Sequence, residues 1–357
     1  MKGINRNIQL DILRIIAGIA VVMIHVSDPF VNLITIFGGL SWWTANIINS
    51  FSRVSVPLFV MISGSLLLMD HNKDLPILVF LKKRLLRIVI PLLFWSVFYL
   101  VIWRLNYLNP EIVLTAYASG KLEHLYFLII MIGLYIITPV LLVFNDHATE
   151  NQKKYFIAIT FGFSILLGLF HRILPKINYE ANALNMFVPY ICFYFAGAYF
   201  INIKSEKKQL SKYSIIFLGL GIFNAILNYG SAVLDRNNIP ILFSHGMAQY
   251  VYEAYSPLII VMTILIFISV LSLKLSEKYN SLLVHVSSTV FGIYLIHPFI
   301  IYCIDKYLGL GIDKLVSPLW MYMFFKMILV FIISYIIVIA GKKIPYVRYI
   351  FGYTHRS

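Results

Sequence analysis

The sequence predicts an all-α membrane protein: a polytopic bundle of about ten transmembrane helices with both termini cytoplasmic. Three observations predict it. Of the 357 residues, 60% are hydrophobic and only 12% charged, with a mean hydropathy of +0.85. Apolar runs of membrane length recur from end to end, and a backbone in hydrocarbon must satisfy its polar groups internally, as a helix does. Lys and Arg alternate between crowded and sparse connecting segments, as the positive-inside rule requires. The net charge of +14 therefore reflects topology, not nucleic-acid binding. No stretch of soluble composition is long enough for a second domain, so residues 1–357 read as one integral-membrane domain. Cys192 and Cys303 both fall inside apolar spans, which argues against disulfide, thiol-nucleophile and metal chemistry, and no metal site is expected. The N-terminal run does not read as a cleaved signal peptide, because Arg14 interrupts it and no small-x-small cleavage site follows.

The expected spans are 10–30, 46–69, 86–105, 124–144, 155–174, 186–203, 213–230, 256–273, 289–305 and 319–341. With the N-terminus inside, the cytoplasmic segments hold most of the 29 Lys and Arg, among them Lys2, Arg6, Lys73, Lys82, Lys153, Lys204, Lys342 and Arg356. The outer segments hold only about seven: Arg104, Lys121, Arg172, Lys176, Arg236, Lys306 and Lys314. No internal repeat of the inverted-transporter kind is visible.

The first span lies in R-N-I-Q-L-D-I-L-R-I-I-A-G-I-A-V-V-M-I-H-V-S-D-P-F, from Arg6 to Phe30. It carries Arg14 and His25 where lipid tolerates neither. Eleven positions apart, they fall almost one under the other at about 100° per residue and sit roughly 16 Å apart along one face. Asp11 precedes Arg14 by three residues and Asp28 follows His25 by three, so both acids share that face. The opposite positions are Ile, Ala, Val and Met. A helix with one polar seam packs it inward, and an ionisable intramembrane seam marks a functional site by default.

The second span opens N-S-F-S-R-V-S-V-P-L-F-V-M-I-S-G-S-L-L-L and puts Arg53 about two turns inside the outer boundary, the depth of His25 on the first. Arg53 either lines the site or snorkels to the headgroups, and the matched depth favours the site. Pro57 kinks this helix, while Ser63, Gly64 and Ser65 admit a neighbouring backbone. The next cytoplasmic segment, F-L-K-K-R-L-L-R-I-V-I-P, sets Lys83, Arg84 and Arg87 on one side of a helix entering the membrane. Such a cluster either binds an anionic ligand or anchors the chain on anionic lipid.

The fourth span begins E-H-L-Y-F-L-I-I-M-I-G-L-Y-I-I-T-P-V-L. His124 and Tyr126 then stand at the outer boundary, where Tyr is equally an aromatic-belt residue. Spans five to eight carry Asn182, Asn185, Asn224 and Asn228 without pattern. Segment 231–255, with Asp235, Arg236, His245, Gln249, Tyr252 and Glu253, is the longest outer loop, and either shapes a binding site or covers the bundle. The ninth span, S-S-T-V-F-G-I-Y-L-I-H-P-F-I, holds His297 near its middle, before a kink at Pro298. A buried His there is commonly a packing residue. Lys326 in the tenth span either snorkels outward or pairs with a carboxylate.

Five of these blocks, in order, resemble the integral-membrane acyltransferases (acyltransferase family 3). They are Arg14 with ten intervening residues before His25; R-V-S-V-P-L-F-V-M-I-S-G around Arg53; the basic pair Lys83–Arg84 with Arg87–Ile88; His124-Leu-Tyr126-x-Leu; and Gly292-x-Tyr294-x-x-His297. Within that family the chain is most similar to the group that includes the O-acetyltransferase of enterobacterial common antigen. The resemblance implies an O-acyltransferase of the cell membrane, with acetyl-CoA as acyl donor substrate and a hydroxyl of a surface glycan or its lipid-linked precursor as acceptor. It implies that Lys83, Arg84 and Arg87 hold coenzyme A phosphates, and that His124, Tyr126 and His297 touch substrate. Acyl-CoA, the glycan acceptor and membrane lipid are then the partners. The apolar spans by themselves fit a polytopic small-molecule permease or flippase equally.

Acyl transfer from a thioester to a hydroxyl needs a base for the acceptor and positive charge or donors near the carbonyl oxygen. His25 is the only titratable base on the inward seam of the first span, and Arg53 at similar depth is placed to stabilise the oxyanion. Arg14, nearer the cytoplasm, is placed to hold the donor, because its distance from His25 matches a pantetheine arm. Asp28 either orients the imidazole or caps the helix end. General-base catalysis and an acyl-histidine intermediate both fit these residues.

Overall fold

The computed structural model describes residues 7–69, 76–103, 123–173, 182–203, 207–236, 247–274, 277–307 and 318–353. His245 and the flanking charges Lys2, Arg6, Lys73, Arg104, Lys121, Lys176, Lys204, Lys314 and Arg356 lie outside the described residues. Those described contain no strand. In chain order the helices are α1 (Ile8–Pro29), α2 (Leu40–Ser52), α3 (Ser55–Leu67), α4 (Ile77–Trp103), α5 (Tyr126–His147), α6 (Glu150–Ile173), α7 (Ile191–Phe200), α8 (Lys207–Arg236), α9 (Met247–Val251), α10 (Pro257–Leu271), α11 (Asn280–Ser287), α12 (Val290–Tyr307), α13 (Leu319–Lys343) and α14 (Val347–Ile350).

Among the described residues, eight helical segments are long and apolar enough to cross a membrane: Ile8–Asn32, Leu40–Leu67, Ile77–Ile102, Tyr126–His147, Glu150–Phe170, Gln209–Arg236, Val290–Tyr307 and Leu319–Lys343. The sixth and eighth expected spans are helical too. Val188–Phe200 and Pro257–Leu271, however, fall short of the roughly 20 residues that cross a bilayer core upright.

The chain divides into two compact units, Met1–Ile62 with Ile201–Ile337 and Ser63–Phe200 with Val338–Ser357. In the first unit α1 is the hub, touching α2, α10, α11 and α12. The Asn7 side chain caps it, accepting from the Gln9 and Leu10 amides. Every seventh residue of one row on α1 meets α11 or α12: Asp11 meets Ser287, Gly18 meets Val290 and His25 meets His297. Gly18 sets the approach, because a Cβ there would stand 2.6 Å from Val290 Cγ1. Gly18 to His25 and Val290 to His297 are equal steps along the chain, so α1 and α12 run in the same direction.

Two prolines shape the upper ends of this unit. Pro29 brings no N–H to the His25 carbonyl, and beyond it the helix widens into a π-helical turn over Phe30–Ile34. Pro57 does more than kink the second span. Its ring crowds the carbonyl four residues back and offers it no N–H, so the span breaks at Arg53–Val54 into α2 and α3. The ladder resumes where the Leu58 amide bonds the Val54 carbonyl at 2.9 Å. Arg53 thus stands at a helix end. α8 also outruns its expected span, so Asp235 and Arg236 form its last turn instead of a loop, and Gln249 lies in the short helix α9.

In the second unit α4 packs on α5 and α14, and α6 on α7. The expected close approach at Gly64 is present: a Cβ there would fall 1.8 Å from the Tyr194 carbonyl oxygen of α7. α4 starts at Ile77, right after Pro76, so Lys82, Lys83, Arg84 and Arg87 belong to its first three turns.

Candidate active site

The first unit brings together His25, Asp28, Arg53 and His297. α1 carries His25 and, one turn on, Asp28. Directly after α2, at its C-cap, stands Arg53, whose Nη2 pairs with Asp28 Oδ1 at 3.3 Å and whose Nε donates to Asn49 Oδ1 at 2.6 Å. The guanidinium also lies 4.4 Å from the centre of the Tyr252 ring, a favourable stack for a cation partly withdrawn from water. Tyr252 is fixed in turn: its hydroxyl donates to Asn46 Oδ1, and Asn46 Nδ2 donates to the Ala225 carbonyl at 2.9 Å. Burial pushes the Tyr252 phenol above its ordinary pKa, with the Arg53 charge acting the other way, so it stays a proton donor at neutral pH.

His25 is half-buried and its ring lies 4.9 Å from that of His297, tilted by 52°. The charges of Asp28 and Arg53 both reach it. His297 is wholly buried, and Pro298 behind it decides its tautomer. Pro298 has no N–H for the Tyr294 carbonyl, and His297 Nδ1 approaches that oxygen at 2.8 Å. A carbonyl only accepts, so the proton of neutral His297 is on Nδ1, and Nε2 is the acceptor edge of the ring.

Above the Arg53–Asp28 pair opens a cavity of about 660 Å³, a volume within the ordinary range for small-molecule sites. Asn32, Phe37, Trp42, Asn228, Asp235, Arg236, Gln249, Tyr252 and Glu253 line it with Asp28 and Arg53. Its aromatic wall is tightly built: Phe37 stacks on Tyr229 at 5.1 Å, Trp42 meets Phe37 edge-on at 4.8 Å, and Arg236 covers Phe37 at 4.0 Å. The wall is pinned where Trp42 Nε1 donates to the Val31 carbonyl at 3.0 Å.

Arg14 sits deeper on the seam. Its Nη1 meets the wholly buried Asp11 carboxylate at 2.7 Å, and the same oxygen accepts from Ser287 Oγ at 2.7 Å. The remaining expected residues belong to the second unit. Lys83 is exposed on α4, while Arg84 and Arg87 are half-buried there, Arg84 with its guanidinium 5.9 Å from the Phe80 ring. His124 is buried edge-on against Tyr99 at 4.9 Å, and Tyr126 opens α5 half-buried. Among the described residues no three His, Cys, Asp or Glu side chains gather to hold a metal ion.

Residues 7–339 match the model of the acyltransferase domain of acyltransferase family 3. The chain belongs to that family. No curated protein and no solved structure matches it. As a family member with many apolar helices, it is a multi-pass membrane acyltransferase. Several residues of the site of this acyltransferase carried no signal in the sequence. Ser27, Asn46 and Asn49 are small polar residues of a kind that also serve as ordinary glue between membrane helices. Only their geometry around Arg53 sets them apart. Phe37 and Trp42 stand between the first two expected spans with no pattern to single them out, and Asp235 and Tyr252 were visible only as members of an outer segment.

Proposed function

We propose that this acyltransferase moves an acyl group, acetyl foremost, from coenzyme A to a hydroxyl of a cell-surface glycan or its lipid-linked precursor, most like the enterobacterial common antigen O-acetyltransferase group. It acts from the cell membrane with both termini cytoplasmic, and about ten helices contribute if Val188–Phe200 and Pro257–Leu271 are counted. The observation that carries this reading is a base and a cation meeting under a cavity: His25 one turn from Asp28, and Asp28 paired with Arg53 at the cavity floor.

In this reading His25 takes the proton of the acceptor hydroxyl as its oxygen attacks the thioester carbonyl. Arg53 faces the oxyanion that forms, and Asp28 holds Arg53 in place. When the tetrahedral intermediate collapses, the carbon–sulfur bond breaks and the imidazolium returns its proton to the coenzyme A thiolate. His297 offers Nε2 beside His25 and touches substrate or the transferred proton. The cavity suits the acceptor better than the donor's nucleotide, because it holds three carboxylates (Asp28, Asp235, Glu253) against two guanidiniums (Arg53, Arg236). Phosphates would be repelled there, whereas sugar hydroxyls bond acids and amides. Arg14, Lys83, Arg84 and Arg87 are the cations assigned to the donor; His124 and Tyr126 are assigned to substrate.

The test is to incubate the purified protein in liposomes with radiolabelled acetyl-CoA and total glycolipid from the producing cells. Base-labile label in the glycan fraction, with one thiol released per ester, is the expected result. No ester and no thiol release would overturn the acyltransferase reading in favour of a permease.

A further inference from the structure

Asn49 is wholly buried one turn before Arg53 on α2, and both ends of its amide are committed. Its Nδ2 donates to Ser27 Oγ at 3.1 Å, and Ser27 donates to the Met23 carbonyl at 2.7 Å. A hydroxyl whose proton rests on a carbonyl can only accept from the amide, which fixes the way Asn49 faces. Its Oδ1 is therefore the end that receives Arg53 Nε–H, at 2.6 Å. Ser27 and Asp28 follow His25 by two and three residues. Two bridges, Asn49–Ser27 and Arg53–Asp28, thus staple the end of α2 to the turn of α1 that carries His25. Arg53 needs such a staple, because the helix breaks directly after it.

We propose that Asn49 is a positioning residue for the transfer reaction, holding the Arg53 guanidinium where it serves the same carbonyl as His25. The inference rests on the acyl-transfer reading above. A misplacement of about 1 Å at a reacting centre lowers rates by about 10²-fold. The rival is that Asn49 is only helix-to-helix glue, and the two differ in how Asn49 couples to Arg53.

The test is a double-mutant cycle on the purified protein in liposomes with native glycolipid, reading thiol release from acetyl-CoA. Asn49→Ala should lower kcat by about 10²-fold while KM for acetyl-CoA stays within about twofold. Asn49→Asp keeps an oxygen for Arg53, and should recover kcat to within about tenfold of the parent. In an Arg53→Gln background, Asn49→Ala should lower kcat by less than about twofold more. An equal loss in both backgrounds, or a parental kcat for Asn49→Ala, overturns the proposal. If Asn49→Ala does not fold, Ser27→Ala, which removes the hydroxyl that orients the amide, enters the same cycle with the same expectations. Parental kcat in Arg53→Gln overturns this inference and the oxyanion role of Arg53 but leaves acyl transfer standing, whereas a parent protein that releases no thiol overturns the acyl-transfer reading and this inference with it.

Discussion

Each arginine on the α1–α2 seam has its own carboxylate, and the two pairs differ in depth. Asp11 is wholly buried with Arg14 and Ser287 on one oxygen, whereas 43% of the Asp28 side chain remains exposed beside Arg53. Removing one member of a buried pair strands the other, so Asp11→Ala should lower stability by about 3 kcal/mol. Asp28→Ala should lower it by no more than about 1 kcal/mol, since exposed pairs contribute little and Asn49 and Tyr252 still hold Arg53. Denaturant titration of both variants in detergent measures the difference; equal losses would contradict this ranking. The Asp11–Arg14 pair was legible in the sequence because three-residue spacing on a helix makes neighbours. The partner of Asp28 was not. The alternatives read from the sequence were the His25 imidazole and the helix end, and the partner found belongs to another helix, which no spacing along α1 reveals.

At the scale of elements, helix centres followed from apolar length, and the breaks and ends did not. Pro57 was legible as a kink, but whether a proline bends or severs a membrane helix depends on how neighbours satisfy the freed groups. Here Arg53 takes the helix end and turns it into a site. α4 begins earlier than its apolar run because no breaker stands between Pro76 and Pro91, so its basic residues are helical and Arg84 and Arg87 share a face. If that face holds coenzyme A phosphates, Arg84→Ala with Arg87→Ala should raise KM for acetyl-CoA at least about tenfold, since charge-assisted bonds contribute about 1.5–3 kcal/mol each. Steady-state kinetics of the double variant decides it, and an unchanged KM returns the cluster to anchoring on anionic lipid.

For the whole molecule, composition and charge alternation made an all-helical membrane chain legible without any site. They carried no information on the split into two compact units, because unit boundaries at Ile62 and Ile337 fall inside apolar helices, where no linker composition marks them. The parallel course of α1 and α12 is what a first and a ninth span would share. If both termini are cytoplasmic, as proposed, a reporter fused after Arg356 should be active only as a cytoplasmic reporter, and an extracytoplasmic signal there would remove the ten-span topology. The central claim is that His25 performs chemistry and not packing, and one preparation tests it most directly. His25→Ala should purify like the parent and bind acetyl-CoA with near-parental affinity, because the Asp11–Arg14 and Asp28–Arg53 pairs stay intact. It should lose acyl transfer by at least about 10²-fold, the usual effect of removing a general base. Transfer surviving within about tenfold of the parent would contradict the account and make His25 a packing residue against His297.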